Sequence, residues 1–328
     1  MDRTGEEQTG LRTLAAYVNF IFRVMLMANK KRPNPAEELA RQERIKKLGI
    51  IAMFSDDVLM ERLVLKGGNA LDLIYQISAR ASVDIDLSME TDFTPAELVD
   101  LGKRIETALR DTFRLEGFEV FDVRFENRPP TLTADLADFW GGYGIEFKLI
   151  ESDRYKQLGP DIEVLRRNAI PLGQGTKFSI EISKYEFTAG KIQRDVDGYV
   201  IFVYTPDMIV CEKLRAICQQ MPEYGPVVKR SRPGSPRARD FIDIERVITS
   251  CSVDLTTKEN RVLLNGVFAA KRVDPTLLRN VNTYREFHRQ NYPAVVASVK
   301  PGLTLKDFDF YVNFVLELIK RLEPLGDK

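Results

Sequence analysis

Lys66-Gly67-Gly68-Asn69-Ala70-Leu71, continuing through residues 72–83 into Asp84-Ile85-Asp86-Leu87, is the stretch on which the fold turns. Ahead of it, Leu63-Val64-Leu65 is an apolar run of strand length. After the glycines, Ala70, Leu71, Ile74 and Ile77 recur at three- and four-residue spacing, which is a helical period. Val83, Ile85 and Leu87 then alternate with Asp84, Asp86 and Ser88, which is a strand period. The unit predicted is strand, tight Gly-Gly turn, one short helix, and a strand with two carboxylates on one face.

Successive side chains on a strand point to opposite faces. Val83, Ile85 and Leu87 can enter a core while Asp84 and Asp86 point together the other way. Their Cα atoms would lie about 7 Å apart, where two like charges repel by roughly 2 kcal/mol at an effective dielectric of about 20. A divalent cation turns that repulsion into attraction, and hard carboxylate oxygens suit Mg2+ or Mn2+. Gly67 and Gly68 lack Cβ, so their backbone N–H groups can approach a phosphate at the start of a helix. A phosphate cradle beside metal-binding carboxylates is the equipment of phosphoryl or nucleotidyl transfer. Either half alone also occurs as an ordinary turn or an open strand face.

Together, Lys66-Gly67-Gly68-Asn69-Ala70-Leu71 and Arg80-x-Ser82-x-Asp84-Ile85-Asp86-Leu87 resemble the core motif of the abortive-infection toxin nucleotidyltransferases of the AbiEii/AbiGii type. That family sits within the DNA polymerase β-like nucleotidyltransferase superfamily. Its usual pattern is Lys-Gly-Gly-Thr-Ala-Leu, then Arg-x-Ser/Thr-x-Asp-Ile-Asp-Leu. Asn69 stands where Thr is usual, at a position beside the phosphates. Two later blocks follow in the family's order. Val210-Cys211-Glu212-Lys213-Leu214-Arg215-Ala216 is similar to its Glu-Lys-Leu/Met-x-Ala motif, and Arg239-Asp240-Phe241-Ile242-Asp243-Ile244 to its Arg-Asp-x-x-Asp-Leu/Ile motif. The resemblance spans residues 63–248. It implies an α+β fold, a nucleotidyltransferase core with a mixed twisted sheet flanked by helices, followed by a helical C-terminal domain. The expected division is 1–54 as N-terminal helices packing on the core, 55–204 as the core and 205–328 as the helical domain.

The resemblance also implies metal-dependent transfer of a nucleotide from an NTP, with pyrophosphate leaving. Asp84 and Asp86 would hold the Mg2+ or Mn2+. Gly67 and Gly68 would bind the triphosphate, with Lys66, Asn69, and Arg80 or Ser82 beside them. A third carboxylate would complete the metal site or activate the acceptor. The family has a Lys-Ile-Asp-Ile-Ser strand at about this place, which Lys177-Phe178-Ser179-Ile180-Glu181-Ile182-Ser183 matches, so Glu181 is preferred and Glu146 is the runner-up. Lys213 would join Asp240 and Asp243 as one unit across two helices. The alternative is that Asp243 forms an ordinary helix ion pair with Arg239, four residues earlier. Members of the family act as the toxin half of toxin–antitoxin or phage-defence pairs, and some add nucleotides to the 3′ end of tRNA. A tRNA acceptor, a cognate antitoxin as partner and a cytoplasmic location are therefore expected. Transfer to a small molecule or a protein hydroxyl, and a non-catalytic nucleotide-binding regulator, remain as alternatives.

Composition narrows the classes further. At 328 residues and 44% apolar, the chain can build about two domains with real cores. Lys plus Arg equals Asp plus Glu at 48 each, so any nucleic-acid surface must be local. Residues 225–239 hold Lys229, Arg230, Arg232, Arg237 and Arg239 and no acid, broken by Pro226, Pro233, Gly234 and Pro236. This reads as a basic loop that either grips a phosphate backbone or stays solvated. Three cysteines without a Cys-x-x-Cys spacing argue against a disulfide framework. One histidine, His288, argues against a classical zinc site or a Ser-His-Asp triad, and it is expected to be packed or solvated. Residues 14–28 are apolar but too short for a membrane span, and no leader is expected.

Local signals also place the element ends. Helices are predicted at 14–28 and 37–54. Thr94-Pro95-Ala96-Glu97 forms a capping box opening a helix that runs to 115 and stops at Gly117. Strands follow at 118–125, 144–149 and 177–183, with an irregular loop at 128–142. Val196-Asp197-Gly198-Tyr199 is a hairpin turn. Helices begin at Thr205-Pro206, at Ser235-Pro236 and at Thr304. The last of them buries Phe308, Tyr311, Val312, Val315 and Ile319.

Overall fold

The computed structural model describes residues 35–79, 84–172, 175–300 and 302–325. The chain divides into two compact units, Met1–Arg44 and Ile45–Lys328. Of the first, the described part is the opening of helix α1 (Pro35–Phe54). The helix expected at 14–28 lies outside the described residues, as do Arg80 and Ser82.

A seven-stranded mixed sheet organises the second unit. Its strands are β1 (Val64–Leu65), β2 (Ile85–Ser88), β3 (Phe118–Arg128), β4 (Gly142–Glu151), β5 (Phe178–Ser183), β6 (Ile192–Val196) and β7 (Tyr199–Val203), in the order β3-β4-β5-β2-β1-β7-β6. β2 runs parallel to β5 and β1 parallel to β7, and the other neighbours are antiparallel. The unit read from sequence lies at the centre, with Leu65 opposite Leu87 and Asp86 beside Glu181.

Alternation decides the two faces of the sheet. Ile145, Phe147 and Leu149 on β4 and Phe178, Ile180 and Ile182 on β5 are buried. Helix α2 (Asp57–Arg62) precedes β1, and α3 (Pro95–Leu115) packs on β3. The Phe113 ring of α3 meets Phe118 and Phe147 edge-on, with centroids 6.4 and 5.6 Å away. The opposite face carries Asp86 and Glu181 towards the helical half of the molecule.

That half begins after the short helices α4 (Ser152–Leu158) and α5 (Ile162–Arg167) and the β6–β7 hairpin. Asp197 and Gly198 in the hairpin turn have φ of 53° and 84°, the left-handed values that a two-residue turn matched to strand twist requires. Thr205 caps α6 (Pro206–Cys218), with Pro206 in its first turn. Helices α7 (Ala238–Cys251) and α8 (Lys258–Ala269) pack on α6. The short α9 (Arg285–Arg289) and α10 (Tyr292–Ala297) precede α11 (Phe308–Leu322), which packs on α7 through the predicted stripe. No described helix is long and apolar enough to cross a membrane.

The capping box at Thr94 and the stop near Gly117 appear as expected. Four ends differ. The helix after the glycines is one turn, Gly67–Asn69, running into a π-helical stretch, Ala70–Ile74, so Ile77 falls beyond it. β2 starts at Ile85, because its partner β5 pairs only from Ile85 onward, and Asp84 therefore precedes the strand. Ser235-Pro236 does not open α7. Ser235 N–H donates to Gln220 Oε1, and the helix starts at Ala238, whose N–H donates to Asn291 Oδ1 at 3.0 Å. The last helix starts at Phe308 rather than Thr304, because the Asp307 carboxylate accepts the Phe310 N–H at 2.8 Å. Residues 225–228 of the expected basic loop belong to a 3-10 helix, Pro222–Val228.

Candidate active site

Two elements meet at the site: the turn leaving β1 and the far face of β2. Lys66 leads into Gly67, whose φ is +65°. A Cβ on Gly67 would stand 2.6 Å from Asp86 Oδ2. The turn thus lies against the carboxylate as only glycine allows. Gly67→Ala is expected to lower nucleotide transfer more than about tenfold by displacing Asp86, a loss of roughly 1.4 kcal/mol or more in transition-state stabilisation. It should also cost about 1 kcal/mol or more of folding stability, because alanine is strained at positive φ. Steady-state transfer and denaturant unfolding measure the two effects.

Asp86 lines a cavity of about 210 Å³ with Gly67, Gly68, Lys66, Glu181, Glu212, Lys213, Arg237, Arg239 and Asp240. Burial raises the Asp86 carboxyl above its ordinary range. Lys66 and Arg239 oppose the rise, while Glu212 and Glu181 add to it. Lys66 Nζ lies 3.1 Å from Ser183 Oγ, 3.5 Å from Glu186 Oε1 and 3.9 Å from Glu212 Oε1. Its ammonium is thereby held at the edge of the cavity.

The cavity lining also holds a buried ion cluster. Lys213 Nζ on α6 donates to Asp240 Oδ1 at 3.1 Å and Asp243 Oδ2 at 2.7 Å on α7. Arg237 Nε donates to the other Asp240 oxygen. Burial alone would push the Lys213 ammonium down, but Asp243 and Asp240 more than reverse this and its proton is held more tightly. Burial would likewise raise Asp240, yet Arg237 and Lys213 outweigh it and hold the carboxyl well below the usual range. Lys213 and Asp240 therefore stay charged at neutral pH.

The structure brings Lys66, Gly67, Gly68, Asp86, Glu181, Lys213 and Asp240 to one cavity. Asp243 joins through Lys213. Asp84 is exposed and is not among the cavity's lining residues. Asn69 is buried, and its Nδ2 donates to the Asp84 carbonyl, which ties the turn to the entry of β2. Glu146 accepts from Arg128 Nη2 at 3.1 Å and Lys177 Nζ at 2.8 Å and does not line the cavity. Lys229, Arg230 and Arg232 line a separate recess of about 520 Å³. There Lys229 Nζ pairs with Asp135 at 2.8 Å, and Arg230 Nη2 donates to the Met221 carbonyl at 3.2 Å. His288 is packed. Its Nδ1 accepts the Arg237 N–H, its ring lies 5.3 Å from Phe241, and burial pulls it down to about 4.

Sequence reading misses Glu212, Arg237 and Arg239 as lining residues. Glu212 sits beside Lys213 in the quoted motif, and the two arginines end the acid-free run, so both signals are present in the chain. It also misses Glu186, which is fully buried. Burial alone would raise the Glu186 carboxyl, but Arg215, Lys66 and Lys271 together hold it well below its usual range. A lone Glu on a connecting segment carries no such signal.

The donor set suits a hard divalent cation shared with a phosphate. Asp86 and Glu181 are neighbours in register and face one cavity, and the Glu181 charge makes Asp86 harder to ionise. Among the described residues, no three His, Cys, Asp or Glu side chains converge closely enough to hold an ion by themselves. Substrate oxygens would complete the shell, as is usual for Mg2+.

A family model described as nucleotidyl transferase AbiEii toxin, type IV toxin–antitoxin system, matches residues 50–313. Among solved structures, a candidate nucleotidyltransferase from H. pylori is 15% identical with a TM-score of 0.45, covering 88% of this chain and 98% of its own. JHP933 from Helicobacter pylori is 16% identical with a TM-score of 0.45, covering 88% and 94%. An antigenic nucleotidyltransferase-like protein from Paracoccidioides brasiliensis is 14% identical with a TM-score of 0.29, covering 70% and 93%. No curated protein matches the chain. The family match covers most of the sequence and includes all three motif blocks, and the chain belongs to the AbiEii family of nucleotidyltransferase toxins of type IV toxin–antitoxin systems.

Proposed function

We propose that this nucleotidyltransferase moves a nucleotide from an NTP to the 3′ end of tRNA in a divalent-metal-dependent reaction, and that a cognate antitoxin restrains it in the cytoplasm as part of a phage-defence system. The observation that carries the nucleotide half is the Gly67 turn pressed against Asp86 in a cavity that Lys213, Arg237 and Arg239 also line, beside Glu212 and Asp240. In this reading 55–204 holds the nucleotide and 205–328 closes over it, with 1–54 as an N-terminal addition.

Asp86 and Glu181 would hold the metal, with Asp84 near them at the entry of β2. When bound, the ion would neutralise phosphate charge and polarise the α-phosphorus towards attack. The chain's own groups do the rest. The Gly67 and Gly68 backbone admits the triphosphate closely. Lys213, Arg237 and Arg239 offset its charge, with Lys213 oriented by Asp240 and Asp243. Glu181, which is exposed, is placed to accept the acceptor hydroxyl's proton. The pyrophosphate leaves as the acceptor oxygen bonds to the α-phosphorus.

Incubating the protein with each radiolabelled NTP and either total tRNA or total protein tests this reading. Label in tRNA that disappears with chelator supports it. Label in protein or in a small molecule favours the corresponding alternative acceptor. Absence of transfer to any acceptor would leave a nucleotide-binding regulator. If RNA is the acceptor, replacing Lys229, Arg230 and Arg232 with Ala should weaken its binding. The slope of log affinity against log salt should then flatten by about 1 for each phosphate that these side chains neutralise. NTP affinity should not change, and filter binding across a salt series measures both.

A further inference from the structure

A second cavity adjoins the first, and much of its lining has no part in the reaction described above. Its volume is about 270 Å³, and it shares Lys66, Glu181, Glu212 and Arg237 with the active cavity. Residues of β4 and β5 form its floor. One face of α6 and the turn after it form its wall, with Glu212, Arg215 and Ala216 on the helix and Gln219 and Gln220 just past its end. Trp140, the single tryptophan of the chain, also lines it.

Two properties narrow what the cavity takes. Five cationic side chains line it against three carboxylates, so it favours a ligand carrying negative charge. Most of those cations are already engaged, however. Arg215 Nη1 donates to Glu186 at 2.6 Å, Arg128 Nη2 to Glu146 at 3.1 Å and Lys271 Nζ to the Phe139 carbonyl at 3.2 Å. A bare phosphate would find few free donors there. The second property is the indole. Its neighbours Phe139 and Tyr224 are tilted at 59° and 49°, with centroids 6.3 and 6.2 Å away. The Lys271 ammonium lies 5.5 Å from the ring centre. Among the described residues no ring stacks parallel on Trp140. A half-buried indole, fixed by its neighbours in a charged channel, is a platform for base stacking.

We propose that this second cavity is a nucleobase subsite, in which a base stacks on Trp140 while its ribose-phosphate reaches past Glu181 and Arg237 into the active cavity. The proposal rests on the nucleotide-transfer reading and adds the base-contacting surface to it. The base comes either from the NTP or from the terminal nucleotide of an RNA acceptor, and the stacking chemistry is the same. Gln219 is the side chain placed to meet the base edge, because its Nε2 is held only loosely, 3.5 Å from the Tyr224 hydroxyl. Gln220 is not, since its Nε2 donates to the Ala216 carbonyl at 3.0 Å and its Oε1 accepts the Ser235 N–H at 2.9 Å.

Because Trp140 is the sole tryptophan, its emission reports on this cavity alone. The full chain is titrated with a non-hydrolysable NTP analogue, with a short single-stranded RNA and with inorganic tripolyphosphate, and binding of each is followed in parallel by calorimetry. The analogue or the RNA should quench Trp140, and whichever does so identifies the source of the base. Tripolyphosphate, which has no base, should bind without quenching. Trp140→Ala should weaken the quenching ligand about tenfold or more, and Trp140→Phe, which keeps a ring, should retain most of the affinity. Calorimetric binding of both nucleotide ligands with unchanged emission and unchanged affinity in Trp140→Ala overturns the subsite and leaves nucleotide transfer standing. Equal quenching by tripolyphosphate overturns it too, because the signal would then follow charge. Absence of binding by all three ligands overturns both readings.

Discussion

Asp86→Asn is expected to lower nucleotide transfer at least about a hundredfold, because in the proposed mechanism this carboxylate would hold the metal, whose charge stabilisation is worth several kcal/mol. The amide keeps the shape and one acceptor oxygen but loses the charge that would hold the ion. Folding should not suffer. Burial, with Glu212 and Glu181, raises the Asp86 carboxyl above its ordinary value even though Lys66 and Arg239 pull the other way. The folded protein therefore binds this proton more tightly than the unfolded chain does. Stability from that source is present at low pH and is lost as pH rises from the unfolded value through the raised folded one. At neutral pH the neutral amide removes the penalty, so metal-free thermal stability should hold or rise. Transfer rates and melting curves across pH without divalent metal test both halves. Wild-type activity in Asp86→Asn would place the chemistry elsewhere.

Lys213→Ala is expected to cost about 3–5 kcal/mol of folding stability and most of the activity, because removing one partner from a buried ion cluster strips the remaining charges of compensation. Here Asp243 would lose a 2.7 Å partner, and Asp240 would keep its pairing with Arg237. The double change Lys213→Ala with Asp243→Ala should cost less than the sum of the singles, since the second substitution removes the charge that the first exposed. Additive losses in denaturant unfolding would show that the two act independently. The pH dependence has the opposite sign to that of Asp86. Despite its burial, Asp240 is held well below the usual carboxylate range by Arg237 and Lys213. Its contribution is full above the unfolded aspartate value and is lost as pH falls towards the depressed folded value. The acid limb of the stability curve should therefore flatten in Asp240→Asn.

Local chemistry makes much of the fold legible. The Gly-Gly turn, the capping box at Thr94, the Asp197-Gly198 hairpin and the alternation in β4 and β5 each depend on neighbours within a few residues. Such neighbours are written in the chain order and need no packing to be recognised. The three motif blocks also lie within the span of the family match, so the class of enzyme is readable before any distant pairing is known.

Local pattern thus assigns residue types to the faces of their elements, and packing selects which distant charges meet. Asp84 and Asp86 look equivalent on an alternating strand, but pairing with β5 begins at Ile85, so Asp86 lines the cavity and Asp84 does not. Strand register separates Glu181 from Glu146, since Glu181 lies beside Asp86 while Glu146 pairs with Arg128 and Lys177. The start of α7 moves to Ala238 because His288 and Asn291, 51 and 53 residues away along the chain, accept from the Arg237 and Ala238 N–H groups. Lys66, Arg215 and Lys271 gather around Glu186 from three separate segments. Periodicity carries no information about such meetings. They are set by how the sheet and helices pack, and by the need of each buried charge for a partner wherever the chain supplies one.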